Sequence, residues 1–544
     1  MDSIEIVLAM ILAVVASGYL VRVLPFSLPL PLVQILLGAV IAAGSRHGVA
    51  MDPEIFFLLF LPPLLFLDGW RIPKDGLFRD KAAILQLALG LVVFTVVGAG
   101  FLIHALIPAM PMAVAFALAA IVSPTDPLAV SSITARTPIP RRLMHILEGE
   151  ALLNDASGLV CFQFAVVAAL TGSFSPISAS LTFLWVTLAG VLIGIGITVI
   201  ATFTQRWLSQ QFGEESGSPI LISLLIPFGA YLLAEWLRAS GILAAVAAGI
   251  TMSYVELSGR ALATTRVQRA AVWDTVHFAM NGVVFVLLGE QLPNILRGAI
   301  ASVDESGHLN PCWLVAYAVT ISLGLAVLRF IWVWVSLHLT LFRARPRGEH
   351  VAQPQWRLVL AMSLAGVRGA ITLAGVMTLP LLLPGGERFP ARDLAVFLAA
   401  AVILLSLVTA SLGLPRILEG LALPAMPGDQ LDEDRARIDA ARAAIDAIER
   451  VRHDRLSETV DPEIFTHAAA RVLELYRHRL GGAMPASSEA GQLRKAERAE
   501  QALRLAGLQA ERDHIYTLAR QSKISDETAR KIVREIDLVE SRYR

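Results

Sequence analysis

Apolar residues fill the first 420 positions in stretches of about 20, separated by short polar loops. A run of that length matches the thickness of a bilayer crossed by one α-helix. Thirteen such spans are expected, at about 5–24, 28–44, 54–70, 82–107, 111–134, 143–171, 178–205, 219–237, 241–257, 271–298, 313–342, 356–384 and 392–417. Alternating ten-residue strands are absent, which excludes a membrane β-barrel. The pattern changes beyond position 423. After a short Pro/Gly linker, PAMPGDQ, the apolar residues Ile438, Ala441, Ile445 and Ile448 recur at three- and four-residue spacing. That is the period of an amphipathic helix. Further helices are expected at about 461–480, after the loop 481–491 through about 521, and from Ser525 onward. The predicted fold is an all-α polytopic membrane protein of about thirteen helices, residues 1–423. A small helical cytoplasmic domain, residues 424–544, follows.

Two spans carry breakers at mid-length. In IVSPTDPLAVSS, residues 121–132, Pro124 and Pro127 bracket Thr125 and Asp126. Each proline lacks an N–H and crowds the preceding turn, so two of them three apart unwind the helix. In AGVRGAITLAG, residues 365–375, Arg368 lies between Gly366 and Gly369. The first break is in the middle of spans 4–6 and the second in the middle of spans 11–13. Those triplets enter the membrane from opposite sides. Paired interrupted helices in inverted repeats point to a secondary transporter with a site near the midplane.

Composition sharpens the division. The 544 residues are 56% hydrophobic and 17% charged. Residues 424–544 hold 43 of the 90 Asp, Glu, Lys and Arg, as 22 acids against 21 bases. This is the mixture of a solvated helical surface. The net charge is zero, so no general attraction to nucleic acid is implied. Loops after odd-numbered spans hold sixteen Lys and Arg, against five after even-numbered spans. By the positive-inside bias, the N-terminus is outside and the tail is cytoplasmic. The acidic start MDSIEIVLAM reads as the first span, not as a cleaved leader. Cys161 and Cys312 form no metal or disulfide pattern and are expected to be buried thiols. A phosphate loop of the GxxxxGK[ST] type is absent, which argues against ATP drive.

The chemistry concentrates in ionisable residues inside spans, which are costly there and mark pathways. GEALLNDASGLV, residues 149–160, carries Glu150, Asn154 and Asp155, with Glu148 just before it. Glu150 and Asn154 share one helical face, and Glu148 and Asp155 share another. Ala156, Ser157 and Gly158 leave room beside Asp155. A carboxylate with an amide oxygen suits an alkali cation or a proton. Thr125 and Asp126, with carbonyls freed by the break, could add oxygen ligands. The competing reading is a hydrogen-bond network that clamps helices. Arg368 needs a carboxylate partner, and Glu150 is the candidate. Arg329 is a second buried cation, Asn281 a deep amide, and Asp68 a mouth carboxylate or an interfacial anchor.

At these residues the chain resembles the monovalent cation:proton antiporter-1 family, the bacterial sodium/proton exchangers. SPTDPLAV, GEALLNDASGLV, SGILAAVAAG (240–249) and AGVRGAITLA match its motifs in order, across residues 1–420. Two departures are visible. Ala151 stands where many members have Ser, and the acidic residue after PPLLF comes one position late, as Asp68 behind Leu67. The resemblance implies that Asp155 binds cation and proton in turn, with Asn154 at the position typical of electroneutral members. It implies that Thr125 and Asp126 complete the site, and that Glu150 and Arg368 form an interhelix pair. It also implies a homodimer in the bacterial inner membrane, no cofactor beyond transported sodium and protons, and no enzymatic activity. The function expected is exchange of cytoplasmic sodium for external protons, serving pH, sodium and volume homeostasis. Potassium/proton exchange at the same site and a tail-gated cation channel are the alternatives. The tail itself could be a regulatory or dimerising element with an unidentified ligand or partner.

Overall fold

The computed structural model describes residues 2–23, 28–44, 53–71, 86–133, 141–171, 176–213, 217–257, 263–305, 312–344, 356–383, 386–419, 427–455, 462–482, 488–521, 523 and 526–540. The chain divides into two compact units, Met1–Leu421 and Ala422–Arg544.

The first unit is built of helices α1 (Asp2–Val23), α2 (Leu30–Gly44), α3 (Pro53–Arg71), α4 (Val92–Leu106), α5 (Met112–Val122), α6 (Pro127–Ile133) and α7 (Arg141–Thr171). It continues through α8 (Pro176–Phe212), α9 (Ser218–Trp236), α10 (Gly241–Leu257), α11 (Ala263–Glu305), α12 (Cys312–Ala344), α13 (Trp356–Leu364), α14 (Ala370–Met377) and α15 (Arg392–Leu418). A π-helical turn, Gln86–Leu91, leads into α4. The helices fall on the apolar stretches, and the two stretches with breakers each form two short helices. Among the described residues, seven helices contain segments long and apolar enough to cross a membrane: Glu5–Val23, Leu89–Leu106, Leu184–Phe212, Ser218–Trp236, Thr265–Ile300, Cys312–Ser336 and Arg392–Leu418. Shorter apolar helices lie between them. Several of the basic loop residues behind the orientation, Lys74, Arg79, Lys81 and Arg136 among them, lie outside the described residues.

Burial is graded from inside to outside. On α5, Val114, Ala115 and the run Ala117–Val122 are all buried. On α8, Leu184, Trp185, Leu188, Leu192, Val199, Ile200 and Phe203 are exposed. An apolar surface of that extent on a water-facing protein would aggregate, whereas on a membrane helix it faces lipid. Cys161 is half-buried, and Cys312 is exposed at the start of α12 instead of buried as expected.

The second unit holds α16 (Pro427–Arg455), α17 (Pro462–Gly482), α18 (Ser488–Arg520) and α19 (Asp526–Glu540). Arg512 of α18 pairs with Asp537, at 2.8 Å, and with Glu540 of α19. Val533 and Ile536 of α19 are buried, which gives this short helix the tertiary packing it needs.

Candidate cation site at the crossing of two broken helices

The two interruptions meet. Residues Ser123–Asp126 run without helical structure between α5 and α6, and residues 365–369 do so between α13 and α14. The backbone N–H of Asp126 donates to the Val367 carbonyl at 2.7 Å, joining one break to the other. Glycine at 369 permits this approach, because a Cβ there would collide with Asp126 Oδ2.

A broken helix leaves carbonyls at one end and N–H groups at the other, with partial charges of opposite sign. Arg368 serves the carbonyl ends. Its Nε donates to Val122 O, the last residue of α5, at 2.9 Å, and its Nη1 donates to Gly366 O. Its own N–H donates to Ser406 Oγ of α15 at 3.1 Å. Asp126 serves an N–H end, its Oδ1 accepting from Ala129 at the start of α6 at 3.4 Å.

Helix α7 packs on the first break. A Cβ at Gly158 would collide with the Pro124 ring, so the small residue sets the closeness. One helical face then presents Glu150 and Asn154 to Thr125. Thr125 Oγ1 donates to Glu150 Oε1 at 3.4 Å and accepts from Asn154 Nδ2 at 3.1 Å. A hydroxyl has one proton to give. With that proton on Glu150, the amide nitrogen must face Thr125 and Asn154 Oδ1 must point away. That oxygen is buried and lacks a hydrogen-bond partner among the described residues, as does Ser123 Oγ in the break. A buried polar atom without a partner is expensive, so each such atom calls for an explanation.

Glu150 is fully buried, and its partner is Arg329 of α12. Arg329 Nη1 and Nη2 donate to the two carboxylate oxygens at 2.5 and 2.9 Å, and Nε donates to Met362 O at 3.1 Å. This corrects the expected Glu150–Arg368 pair. Arg368 sits inside the break, where the orphaned carbonyls use its donors. Arg329 comes from a continuous helix and brings its fork square to the carboxylate, the geometry of a strong two-pronged pair.

Asp155, the next residue after Asn154, is buried with 7% exposure. Charges bearing on it come from Asp68, Asp126 and Glu150. Asp68 itself lies within electrostatic reach of Asp126 and Arg71. It is half-buried, while Leu67, where the family often has the acid, is buried in the apolar packing. With Glu150 matched by Arg329, three carboxylates stand against Arg368 in the vicinity of the crossing. Such a region draws protons and cations. Among the described residues no three Asp, Glu, His or Cys side chains converge to hold a metal ion. A cation beside Asp155 would thus be held by fewer than three such side chains, with amide, hydroxyl and carbonyl oxygens completing a set suited to a hard alkali ion.

The remaining predicted residues are more peripheral. Ser157 Oγ donates back to Asn154 O at 3.4 Å. Glu148 is half-buried. Asn281 Nδ2 lies 2.8 Å from His277 Nε2, a contact within α11. Ser123 and Ser406 were not singled out from the sequence. Ser123 belongs to the proline motif, whereas Ser406 is one polar residue in an apolar run and carries no signal of its own.

Two interrupted helices crossing at a cluster of buried carboxylates define a secondary transporter of small cations. The chain belongs to the sodium/hydrogen exchanger family, whose transmembrane model matches residues 9–420. It is 41% identical over 543 residues, 98% of both chains, to an uncharacterized Na(+)/H(+) exchanger, YjcE, of Escherichia coli K12. It is 42% identical over 424 residues to a sodium, potassium, lithium and rubidium/H(+) antiporter of Bacillus pumilus, covering 76% of this chain and 62% of that protein. The sodium proton antiporter MjNhaP1 of Methanocaldococcus jannaschii shares the fold, with a TM-score of 0.57 at 16% identity over 77% of this chain and 99% of that one. The protein is a multi-pass membrane cation/proton antiporter, not an enzyme, and this stands against the channel alternative.

Proposed function

We propose that the protein exchanges cytoplasmic sodium for external protons, one for one, by competition at Asp155. The observation that carries this reading is the unpartnered Asn154 Oδ1 beside a buried carboxylate at the crossing of the breaks. An amide oxygen held away from Thr125 has a cation as its natural partner. Asp155 binds either a proton or a dehydrated sodium ion, and Asn154, Asp126 and the second lone pair of Thr125 assist. Because Asn154 is neutral and Glu150 is matched by Arg329, Asp155 is the carboxylate that changes charge in the cycle. That supports electroneutral exchange.

In reconstituted vesicles, Asp155→Asn should abolish sodium-driven proton flux while the protein still inserts. Wild-type exchange should keep its rate under an imposed membrane potential. A potential-sensitive rate would defeat the one-for-one ratio, and an active Asp155→Asn would defeat the site.

The second reading, potassium exchange at the same site, is favoured by the breadth of cations in the name of the Bacillus pumilus relative. Flux compared in sodium, potassium, lithium and rubidium separates the two. We assign the protein to the bacterial inner membrane as a homodimer, with an external N-terminus and residues 424–544 as a separate cytoplasmic domain. The supporting features are the basic loop bias and the family.

A further inference from the structure

A second set of charges lies at the end of α3. Asp68 and Arg71 are one turn apart and share a face of that helix. Arg71 is exposed, and its guanidinium pairs with Asp274 of α11, which is more exposed still. The Arg71 charge also bears on Asp68, and the Asp68 charge bears on Asp155. The guanidinium thus has two carboxylates to choose from, one outward and one inward. The helix that carries it is fixed. Trp70 Nε1 donates to Glu256 Oε2 of α10 at 2.7 Å. Phe66 and Trp273 stack at 5.2 Å between ring centroids, with Trp70 edge-on to Trp273 at 6.0 Å. Trp273 Nε1 in turn donates to Ser223 Oγ of α9 at 3.1 Å. The Arg71 side chain, by contrast, is long and exposed. His277, one turn along α11 from Asp274 and bonded to Asn281, is also acted on by both Arg71 and Asp274.

We infer that Arg71 is a latch set by Asp274. Paired outward with Asp274, it leaves Asp68 open to an arriving cation; released, it turns onto Asp68 and closes the approach to the crossing. An exposed arginine–carboxylate pair is weak and exchanges readily, which a latch requires. The inference rests on the proposed reading that Asp155 is the transport site and Asp68 lies on its approach.

The test uses the full chain in inside-out membrane vesicles, with proton flux followed against sodium concentration. D274N should raise the apparent KM for sodium about two- to fivefold, the scale of an exposed charge pair. R71Q/D274N should return it to the wild-type range, because no guanidinium is left to occupy Asp68. D274E should behave as wild type and control for folding. Additive effects in the double variant, or a D274N whose KM is unchanged, overturn the latch. D155N in the same vesicles keeps the two readings apart. An active D155N removes the transport site itself, whereas an inactive D155N with an additive pair removes only the latch.

Discussion

Arg329 and Arg368 are the same residue type in the same stretch of membrane, yet they serve different groups. Arg329 matches a buried carboxylate, and Arg368 holds the carbonyl ends of broken helices. Their loss should differ accordingly. Arg329→Gln strands the Glu150 charge and should cost about 3–5 kcal/mol, the penalty for a buried ion left alone. Adding Glu150→Gln should recover a large part of that cost, because two neutral amides can face each other. Thermal melting in detergent reads both effects. Arg368→Gln leaves the Glu150 pair intact, so Glu150→Gln should give it no comparable rescue. The carboxylates of the site were legible in the sequence because charges inside apolar runs are conspicuous. The choice between the two arginines was not. Arg329 and Glu150 are 179 positions apart, and the rotation of α12 that brings them together leaves no trace in local spacing.

Among the elements, the two breaks were legible for opposite reasons. Prolines break the helix over Ser123–Asp126, and glycines permit its absence around Arg368. What could not be read is that the breaks touch, since that depends on the crossing of helices far apart in the chain. The π-helical turn Gln86–Leu91 was equally hidden. It is tied to α12, where Trp332 Nε1 donates to Gln86 O at 3.1 Å and Ser336 Oγ to Gln86 Oε1 at 3.0 Å. The closeness of the breaks makes a prediction about small side chains. Gly369→Ala should push Asp126 out of place, and Gly158→Val should drive α7 from Pro124. Both should abolish exchange with helix content retained by circular dichroism. Gly507→Ala, with open space around it on α18, should leave exchange unchanged and raise tail stability by a few tenths to about 1 kcal/mol.

For the whole molecule, composition marks an apolar body and a charged tail, and the chain forms two compact units, Met1–Leu421 and Ala422–Arg544. A chain ending at residue 423 should therefore insert and still exchange cations for protons. A regulatory tail would show itself as a displaced pH dependence or altered assembly in that truncation, read by flux across pH and by mass in detergent. At this scale, the hydrogen bond from Asp126 N–H to Val367 O has a mechanical consequence. Two halves of an inverted pair that share a main-chain bond cannot slide past each other without breaking it. Exposing the ion first to one compartment and then to the other is thereby a task for the surrounding helices or for the joined crossing travelling as a single body, never for one broken helix moving alone.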